Sequence, residues 1–261
     1  MDETKYGFWL PVDVSSHGAQ IDNLMMVVHI FMLLLFVGWG VFFVYCLVKF
    51  RARPGHVATY LPPKAVFTKY IEAAVVIVEV FLLFGLSTPV WFKYKGRPAS
   101  EKDAVIVQLV AEQFAWNFHY TGKDGKFGKA SAATMSGDNP LGLDADDPAG
   151  KDDITTVNQF HVPVNKDVIV ELSSKDVIHA FNIPVLRVKQ DAIPGTRIPV
   201  WFRATQPGHF ELACAQLCGL GHYRMRADVL IDSPEDYAKW EKENAPTPSE
   251  DQPPTAQEPA K

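Results

Sequence analysis

The sequence predicts a two-helix transmembrane hairpin followed by an all-β domain of the barrel or sandwich class. Two long apolar runs, residues 24–50 and 71–92, lie in the first third of the 261-residue chain. From residue 104 onward apolar positions recur every second residue, in short β-branched segments without helices between them. Because 48% of the residues are hydrophobic and the excess lies in the two runs, the composition excludes a wholly soluble enzyme, a polytopic transporter and a disordered protein.

The first apolar run is long enough to span a bilayer. Residues 24–48 are interrupted only by His29 and contain no proline, and a spanning helix needs about 20 apolar residues. The second run carries Glu72 and Glu79 and meets Pro89 near its end, yet it has the length of a span. A cleavable signal peptide is disfavoured because the N-terminus is acidic and the first run is too long.

The charges of the loops predict the orientation. The connector at 51–69 carries Arg51, Arg53, Lys64 and Lys69 and no acidic residue, whereas the segment before the first run is mostly acidic. By the positive-inside rule the connector is cytoplasmic, so both termini face the outer side. The predicted segments are an outer N-terminal segment 1–23, a helix 24–50, a connector 51–69, a helix 70–94, an outer domain with a short C-terminal helix 95–244, and a disordered tail 245–261.

Acidic side chains within a membrane span are costly and usually serve a function. Glu72 has two interpretations: an anion in the first turn of its helix, stabilised by the helix dipole, or a group with a role in proton transfer. Glu79 lies two turns deeper and predicts a polar partner on another subunit. His29 and Cys46, isolated on apolar faces, are interpreted as packing residues.

Aromatic residues mark the first strands of the outer domain. Phe114, Trp116, Phe118 and Tyr120 alternate with small or polar residues. Strands are predicted at 104–111, 158–164, 167–173, 177–183, 196–203, 208–214 and 223–232, which favours an antiparallel arrangement. The irregular stretch 121–156 is rich in Asp and Gly, and its acids predict either a solvated face or a docking surface for a basic protein. The Ser-Pro-Glu-Asp run at 233–236 predicts a capped helix that ends near residue 244.

Metal-ligating side chains are concentrated near the end of the domain. Cys214, Cys218, His222 and Met225 occur within 12 residues, and thiolate and thioether sulfur favour copper. A zinc ribbon would have C-x2-C spacing, an iron–sulfur cluster more thiolates, and a mononuclear blue-copper site one cysteine. Two cysteines can instead bridge two copper ions, each of which needs an imidazole. The candidates for the second imidazole are His119, His161, His179 and His209, and His179 lies at the start of a predicted strand.

The net charge and the number of cysteines restrict the classes of partner and of redox chemistry that fit this chain. The net charge of −5 argues against nucleic acid as a partner. Three cysteines are too few for a disulfide scaffold, so the C-x3-C pair points to metal or redox chemistry. The chain contains no C-x-x-C-H motif, so it carries no covalently attached haem c and any cytochrome donor is a separate protein.

The chain resembles subunit II of the haem–copper cytochrome c oxidases, in a divergent bacterial form. The resemblance rests on Asp-Val-Ile-His at 176–179, Lys-Gln-Asp-Ala-Ile-Pro-Gly at 189–195, the C-x3-C-G-x2-H-x2-M run and the two preceding helices, and it covers roughly residues 20 to 240. It implies a cupredoxin-like domain with a binuclear copper centre, CuA. The implied ligands are Cys214 and Cys218 as bridges, His179 and Met225 on one copper, and His222 and the backbone carbonyl of Gln216 on the other.

The resemblance also implies a function and partners. Electrons pass from an external cytochrome c-type donor to CuA and then to haem in subunit I, where oxygen is reduced with proton pumping. The chain is then the electron-accepting subunit of a cytochrome c oxidase in the bacterial inner membrane. It contacts subunit I, the other oxidase subunits and lipid, and its copper domain and both termini are periplasmic. Glu72 matches the family acid near the mouth of a proton-uptake path in subunit I.

The chain departs from the family pattern at two sites. Gln216 replaces the usual Glu between the cysteines, which weakens a Mg or Mn site at the subunit I interface, although the acid matched by Asp191 is retained. Phe114 replaces the Trp that accepts electrons, while Trp116 is kept. Phe lacks the indole donor, so we expect a different docking mode and a membrane-bound or complex-associated cytochrome donor. Asp176 and the acidic stretch remain candidate docking residues.

Two other functions fit parts of the pattern. A quinol-oxidase subunit II shares the hairpin and the β domain but lacks the copper ligands, all of which this chain has. A membrane-tethered copper chaperone also carries C-x3-C and a distant His, but usually has one helix and early cysteines. Copper loading of the protein distinguishes the three, since only CuA gives the spectrum of an electron shared by two copper ions.

Overall fold

The structure is a computed structural model that describes residues 10–58, 60, 66–96 and 103–246. The chain divides into two compact units. One unit spans residues 17–96, and the other combines the residues before and after it. Lys64 of the connector and the predicted tail from residue 247 onward lie outside the described residues.

The first unit contains two long helices. Helix α1 spans Gly18–Lys49, and the second helix runs through α2 (Val66–Val80), a π-helical segment (Phe81–Ser87) and α3 (Thr88–Lys95). With 32 and 30 residues, both are long and apolar enough to cross a membrane, at about 1.5 Å of rise per residue. Both begin several residues before the predicted runs, because polar residues at their ends remain helical.

A π-helical segment precedes Pro89 in the second helix. Proline has no N–H to donate and its ring crowds the carbonyl one turn earlier, so the backbone must adjust on its N-terminal side. The Ser87 and Thr88 hydroxyls donate to the carbonyls of Leu82 and Leu83 at 2.9 Å. These bonds partner carbonyl groups in the widened turn, so the helix continues past the proline instead of ending there.

The second unit is a sandwich of two five-stranded sheets. The strand order is β3-β2-β1-β5-β8 in one sheet and β4-β10-β9-β6-β7 in the other. The strands are β1 (Val105–Glu112), β2 (Ala115–Tyr120), β3 (Ile154–Val157), β4 (Gln159–Pro163), β5 (Asp167–Ser174), β6 (His179–Ile183), β7 (Val188–Ala192), β8 (Ile198–Arg203), β9 (Gly208–Cys214) and β10 (Arg226–Asp232).

The sandwich confirms the fold class but corrects parts of the prediction. Two pairs, β1 with β5 and β4 with β10, are parallel, so the sheets are mixed and not purely antiparallel. The strand predicted at 223–232 begins only at Arg226, because His222–Arg224 form a short helical turn. Strands β3 and β7 have no counterpart in the prediction. β3 has only four residues, and the alternation of β7 is hidden by three consecutive polar residues at its centre.

Large aromatic side chains fill the space between the sheets. Phe118 and Phe160 stack with ring centroids 4.8 Å apart, and Phe181 and Phe202 pack edge-on against Phe160. All four are fully buried. Alternate residues of the strands thus form one core that holds both sheets rigidly.

Residues 10–16 belong to the sandwich although they precede α1. Val14 is buried, its N–H donates to the Val185 carbonyl at 2.9 Å, and Ser15 forms a bridge with Ala204. The Arg187 guanidinium donates to the Pro11 carbonyl at 2.8 Å. The sandwich therefore includes residues that precede the helical unit in the sequence as well as residues that follow it.

The acidic stretch between β2 and β3 is internally bonded. Asp153 is buried; one carboxylate oxygen accepts from the Gly128 N–H at 2.7 Å and lies 2.6 Å from His119 Nε2. Burial lowers the pKa of His119, and the nearby carboxylate only partly opposes this effect. The Asp147 carboxylate accepts from the Lys129 N–H. The interpretation of Asp153 as part of a solvated face is therefore wrong, because this side chain is buried and anchors the stretch to β2.

The helix predicted after Ser233 is present as α4 (Pro234–Asn244). The Ser233 side chain accepts from the Asp236 N–H, as the capping pattern predicts. Tyr237 and Trp240 are buried, and the Trp240 ring stacks on His161 of β4 with centroids 4.5 Å apart. One face of α4 thus covers the edge of the second sheet.

Candidate metal centre

One loop and one strand of the second sheet carry the sequence-predicted metal ligands. Cys214 is the last residue of β9, and Met225 directly precedes β10. The Cys214 N–H donates to the Met225 carbonyl at 3.0 Å, which closes the base of the loop between them. Cys214 also pairs with Phe181 of β6, the strand that begins at His179. Regular strand pairing therefore places three of the predicted ligands at one end of the sheet.

The ligand atoms converge on one small volume. Cys214 Sγ lies 3.8 Å from Cys218 Sγ and 4.0 Å from His179 Nδ1. Cys218 Sγ lies 3.6 Å from His222 Nδ1 and 3.7 Å from Met225 Sδ. The Gln216 carbonyl oxygen lies 3.2 Å from Cys214 Sγ. The structure thus brings together all six groups that the sequence predicts as copper ligands.

The donor set fits two metal ions better than one. Metal–ligand bonds of about 2.0–2.3 Å place two ligands of one tetrahedral ion roughly 3.5–4 Å apart, which is the range of the four sulfur contacts above. Six donors exceed the four that one tetrahedral ion takes, whereas two ions that share both thiolates use all six. Two thiolates and a thioether are soft ligands, which favours copper over a hard cation.

The other three candidate histidines do not reach this volume. Each lies close to an aspartate, at 2.6–2.9 Å, and the pairs are His119 with Asp153, His161 with Asp232 and His209 with Asp228. His179 is also paired, but through Nε2, which lies 2.9 Å from Asp176 Oδ1 and leaves Nδ1 facing Cys214. An imidazole fixed in this way by a carboxylate is a typical metal ligand.

Asp176 is held as a carboxylate by several donors. Burial acts to raise its pKa, but hydrogen bonds from His179 and from the N–H groups of Gln113 and Val177 lower the pKa below its ordinary value overall. The Gln113 N–H to Asp176 Oδ2 distance is 2.7 Å. The predicted docking residue therefore also orients a ligand, and 30% of its side chain is exposed.

Burial affects the Cys218 thiol. It raises the pKa of Cys218 to about 11, with a further contribution from the neighbouring Cys214. Because a thiol binds metal as the thiolate, Cys218 must release its proton when metal binds.

Phe114 and Trp116 occupy very different environments. Phe114 is half-buried, and a Cβ added at Gly221 would lie 2.4 Å from its ring. Trp116 is completely buried, with its ring centroid 6.1 Å from that of His179 and its indole N–H without a hydrogen-bond partner among the described residues. Burial excludes Trp116 as a surface contact for a docked donor, because a donor cannot touch it directly.

The predicted Mg or Mn residues are Asp191, on β7, and Gln216, in the loop between β9 and β10. Among the described residues, only His179, Cys214 and Cys218 bring three His, Cys, Asp or Glu ligand atoms within 4.8 Å of one another. The carboxylate of Asp191 lies 3.6 Å from Lys189 Nζ, and its side chain is 40% exposed. Gln216 occupies an exposed position in its loop. The second metal site thus remains a prediction.

Glu72 and Glu79 lie on α2 in the other unit, and both are exposed. Helix α2 begins no later than Val66, so Glu72 is not in its first turn. The dipole acts mainly within the first turn, so the helix-start interpretation of Glu72 is wrong. Seven residues separate the two acids, which places them on the same helix face.

Sequence reasoning missed the exposed apolar side chains of the metal loop. Leu217, Leu220 and Tyr223 are 77%, 94% and 86% exposed, and Val177 and Ile178 add apolar surface before His179. The sequence does indicate this surface: large apolar residues stand between the predicted ligands, and because the ligands must point inward, the residues between them are left facing outward. Such a patch is typical of an interaction surface.

Comparison with known proteins places this site in a family. The protein-family model for the periplasmic domain of cytochrome c oxidase subunit II matches residues 105–232 of this chain. The alternative cytochrome c oxidase subunit 2 of Bradyrhizobium diazoefficiens is 34% identical over 235 residues, which cover 89% of this chain and 82% of that protein. Subunit 2 of Cereibacter sphaeroides is 33% identical over 193 residues, which cover 69% of this chain and 62% of that protein.

A solved structure is also similar. The periplasmic domain of subunit II of cytochrome oxidase from Bradyrhizobium japonicum is 30% identical, with a TM-score of 0.41, and the match covers 55% of this chain and 94% of that one. The identity to the Bradyrhizobium diazoefficiens protein extends over 89% of this chain. The chain therefore belongs to the family of cytochrome c oxidase subunit II.

Proposed function

We propose that this chain is the electron-accepting subunit of a cytochrome c oxidase, with a binuclear CuA centre held by the loop 214–225 and His179. The convergence of six donor groups, two of them thiols 3.8 Å apart, carries the proposal. In this assignment Cys214 and Cys218 would hold both ions. His179 and Met225 would hold one ion, and His222 and the Gln216 carbonyl would hold the other. When bound, the copper pair supplies reversible one-electron redox chemistry.

The chain's own residues hold that centre rigid and keep water away. Cys214, Cys218 and Met225 are each at least nine-tenths buried, so the sulfur ligands lie in a low-dielectric environment. The paired strands β9 and β10 fix both ends of the loop, and Asp176 fixes the ring of His179. A rigid ligand set needs little rearrangement when its charge changes, which favours fast electron transfer.

The proposed electron donor is a c-type cytochrome that contacts the exposed loop. Phe114 lies beneath Gly219 and Gly221, so a donor that docks over Leu220 and Tyr223 approaches the copper ligands without a surface tryptophan. Contact of the donor with these apolar side chains favours a membrane-bound or complex-associated cytochrome over one that is steered to the site mainly by charge. Asp176 lies at the margin of this contact surface. In the assembled oxidase, haem in subunit I would take up these electrons, and oxygen reduction with proton pumping would occur in that subunit.

The membrane arrangement follows from chain connectivity and charge. Residues 10–16 and the chain after α3 belong to the same sandwich. Two crossings return the chain to its starting side, so residues 10–16 and the strands after α3 lie on one side of the membrane. The charge of the basic connector favours the cytoplasm for the opposite side. We therefore propose a periplasmic sandwich on an inner-membrane hairpin, with subunit I and the other oxidase subunits beside the helices.

Copper loading of the full chain in detergent tests this function. We expect the reduced protein to take up two copper ions and to give a purple colour and the EPR hyperfine pattern of one electron shared by two copper nuclei. Cys218→Ser is expected to lose this spectrum, whereas Cys46→Ser, the matched control in α1, keeps it. One copper ion per chain, or none, contradicts the proposal: a single ion favours a chaperone, and none favours a quinol-oxidase subunit.

A further inference from the structure

The two-residue turn between β1 and β2 contacts both halves of the candidate metal centre. Strands β1 and β2 belong to the first sheet, whereas every predicted copper ligand lies on the second sheet or its loops. Glu112 pairs with Ala115, so Gln113 and Phe114 form the turn of this hairpin. The hairpin turn is therefore the point at which the opposite sheet reaches the ligands.

Gln113 makes two hydrogen bonds to different sides of the centre. Its backbone N–H donates to Asp176 Oδ2 at 2.7 Å, and Asp176 in turn orients the imidazole of His179. Its side-chain amide donates to the carbonyl of Cys218 at 2.6 Å. One residue thus links the His179 side of the site to the loop that carries Cys218.

Phe114 supports the same loop from beneath. A Cβ at Gly221 would lie 2.4 Å from the Phe114 ring, and a Cβ at Gly219 would lie 2.7 Å from the amide nitrogen of Gln113 and 3.3 Å from the ring. Gly219 also has φ +131°, a conformation that side chains rarely adopt. The two glycines of the loop are therefore matched to the turn residues that press against them.

We propose, on the basis of the CuA function above, that Gln113 is a positioning residue for copper: its side-chain amide holds the Cys218 carbonyl and so presets the loop before metal binds. The amide donates to a backbone carbonyl next to a ligand and does not itself reach the metal. Its role is analogous to that of the outer-shell partners that orient metal ligands, whose loss typically reduces metal affinity about 10–100-fold.

Two substitutions remove the donor in different ways. Gln113→Ala deletes the amide, and Gln113→Glu keeps the shape but places a carboxylate against the carbonyl, where it cannot donate at neutral pH. Gln108→Ala is the matched control, because Gln108 lies on β1 and its side-chain amide bonds only to Glu171 among the described contacts. The backbone bond to Asp176 is retained in every variant.

The experiment measures copper retention, the EPR spectrum and hydrogen exchange in the full chain. Against a competing chelator, both Gln113 variants are expected to lose copper at least tenfold more readily than wild type and to show altered hyperfine splitting. Gln108→Ala is expected to match wild type. In the copper-free protein, loop amides such as that of His222 should exchange faster in Gln113→Ala, while the unfolding temperature should stay close to that of Gln108→Ala.

The outcomes separate this proposal from the proposed function. If wild type binds no copper pair, the CuA function fails, and loop exchange still decides whether Gln113 orders the loop. If wild type binds two copper ions and both Gln113 variants retain them with an unchanged spectrum and unchanged loop exchange, the positioning role is refuted. A lower unfolding temperature with an unchanged spectrum also refutes it, because that result shows a contribution to stability alone.

Discussion

His179 shows how one side chain acquires a role that its sequence context leaves open. Four histidines are candidates for the distant ligand, and in the structure each of them lies against an aspartate. At His179 the carboxylate of Asp176 takes Nε2, so Nδ1 faces the thiols. The other three lie against aspartates away from the metal loop. Because the aspartates of these three histidines lie 19 to 71 positions away in the sequence, spacing alone cannot identify the pairings.

Gly221 gives a residue-scale prediction. The site is buried and the Phe114 ring lies where a Cβ would go, so Gly221→Ala must displace either the ring or the loop. We expect a loss of about 1–3 kcal/mol in the free energy of unfolding and weaker copper retention. Chemical denaturation and chelator competition measure both. The double variant Gly221→Ala/Phe114→Ala should recover part of the stability, and an additive loss would contradict the packing argument.

The buried pair of His119 and Asp153 gives a second residue-scale prediction. Because burial lowers the pKa of His119, the unfolded chain takes up this proton at a higher pH than the folded chain. The stability contributed by neutral His119 is therefore complete above its unfolded pKa of about 6.5 and falls as the pH drops below it, by at most about 1.4 kcal/mol per pH unit for one proton.

Unfolding of the copper-free chain between pH 7.5 and 5 tests this dependence. His119→Gln should have lower stability at pH 7.5 but a shallower decline with falling pH than wild type. His209→Gln is the matched control, since His209 also lies against an aspartate, Asp228, but in an exposed pair. Parallel curves for wild type and His119→Gln would show that His119 does not titrate as inferred.

At the scale of elements, the second membrane helix differs most from its sequence-based interpretation. Pro89 suggests an end to the apolar run, but hydroxyl donors and a π-helical segment carry the helix on to Lys95. Because α2 starts earlier than predicted, Glu72 lies beyond the first turn of the helix. Stabilisation by the helix dipole therefore does not explain an acidic residue at this position. An acid within a membrane helix then requires a polar partner or a proton path.

Glu72→Gln in the assembled oxidase tests the proton role. We expect turnover to fall several-fold or more while the EPR spectrum of the copper centre stays as in wild type, since the substitution lies in the other unit. Glu235→Gln is the control, because Glu235 lies in the first turn of α4 and should affect neither quantity. An unchanged turnover rate for Glu72→Gln would assign the acid to helix packing or assembly.

At the scale of the whole molecule, the hairpin, the β class and the ligand loop are predictable from the sequence. These features are indicated by local patterns, which can be recognised from the sequence alone. The patterns are the runs of apolar residues, the alternation of apolar and polar residues, and the C-x3-C-G-x2-H-x2-M spacing. The parallel pairs β1–β5 and β4–β10, strand β7 and the contact of the hairpin turn with the metal loop depend on distant residues. The sequence pattern gives no information on those contacts until the sheets are assembled.

The placement of residues 10–16 affects how the protein is made and studied. Val14 and Ser15 precede both membrane helices in the chain, yet they bond to Val185 and Ala204, which follow both helices. The sandwich can therefore be completed only after the hairpin and the strands that follow it have been synthesised. A soluble fragment that starts after the second helix lacks this edge, and fusing residues 10–16 to it is a direct way to restore the missing backbone partners.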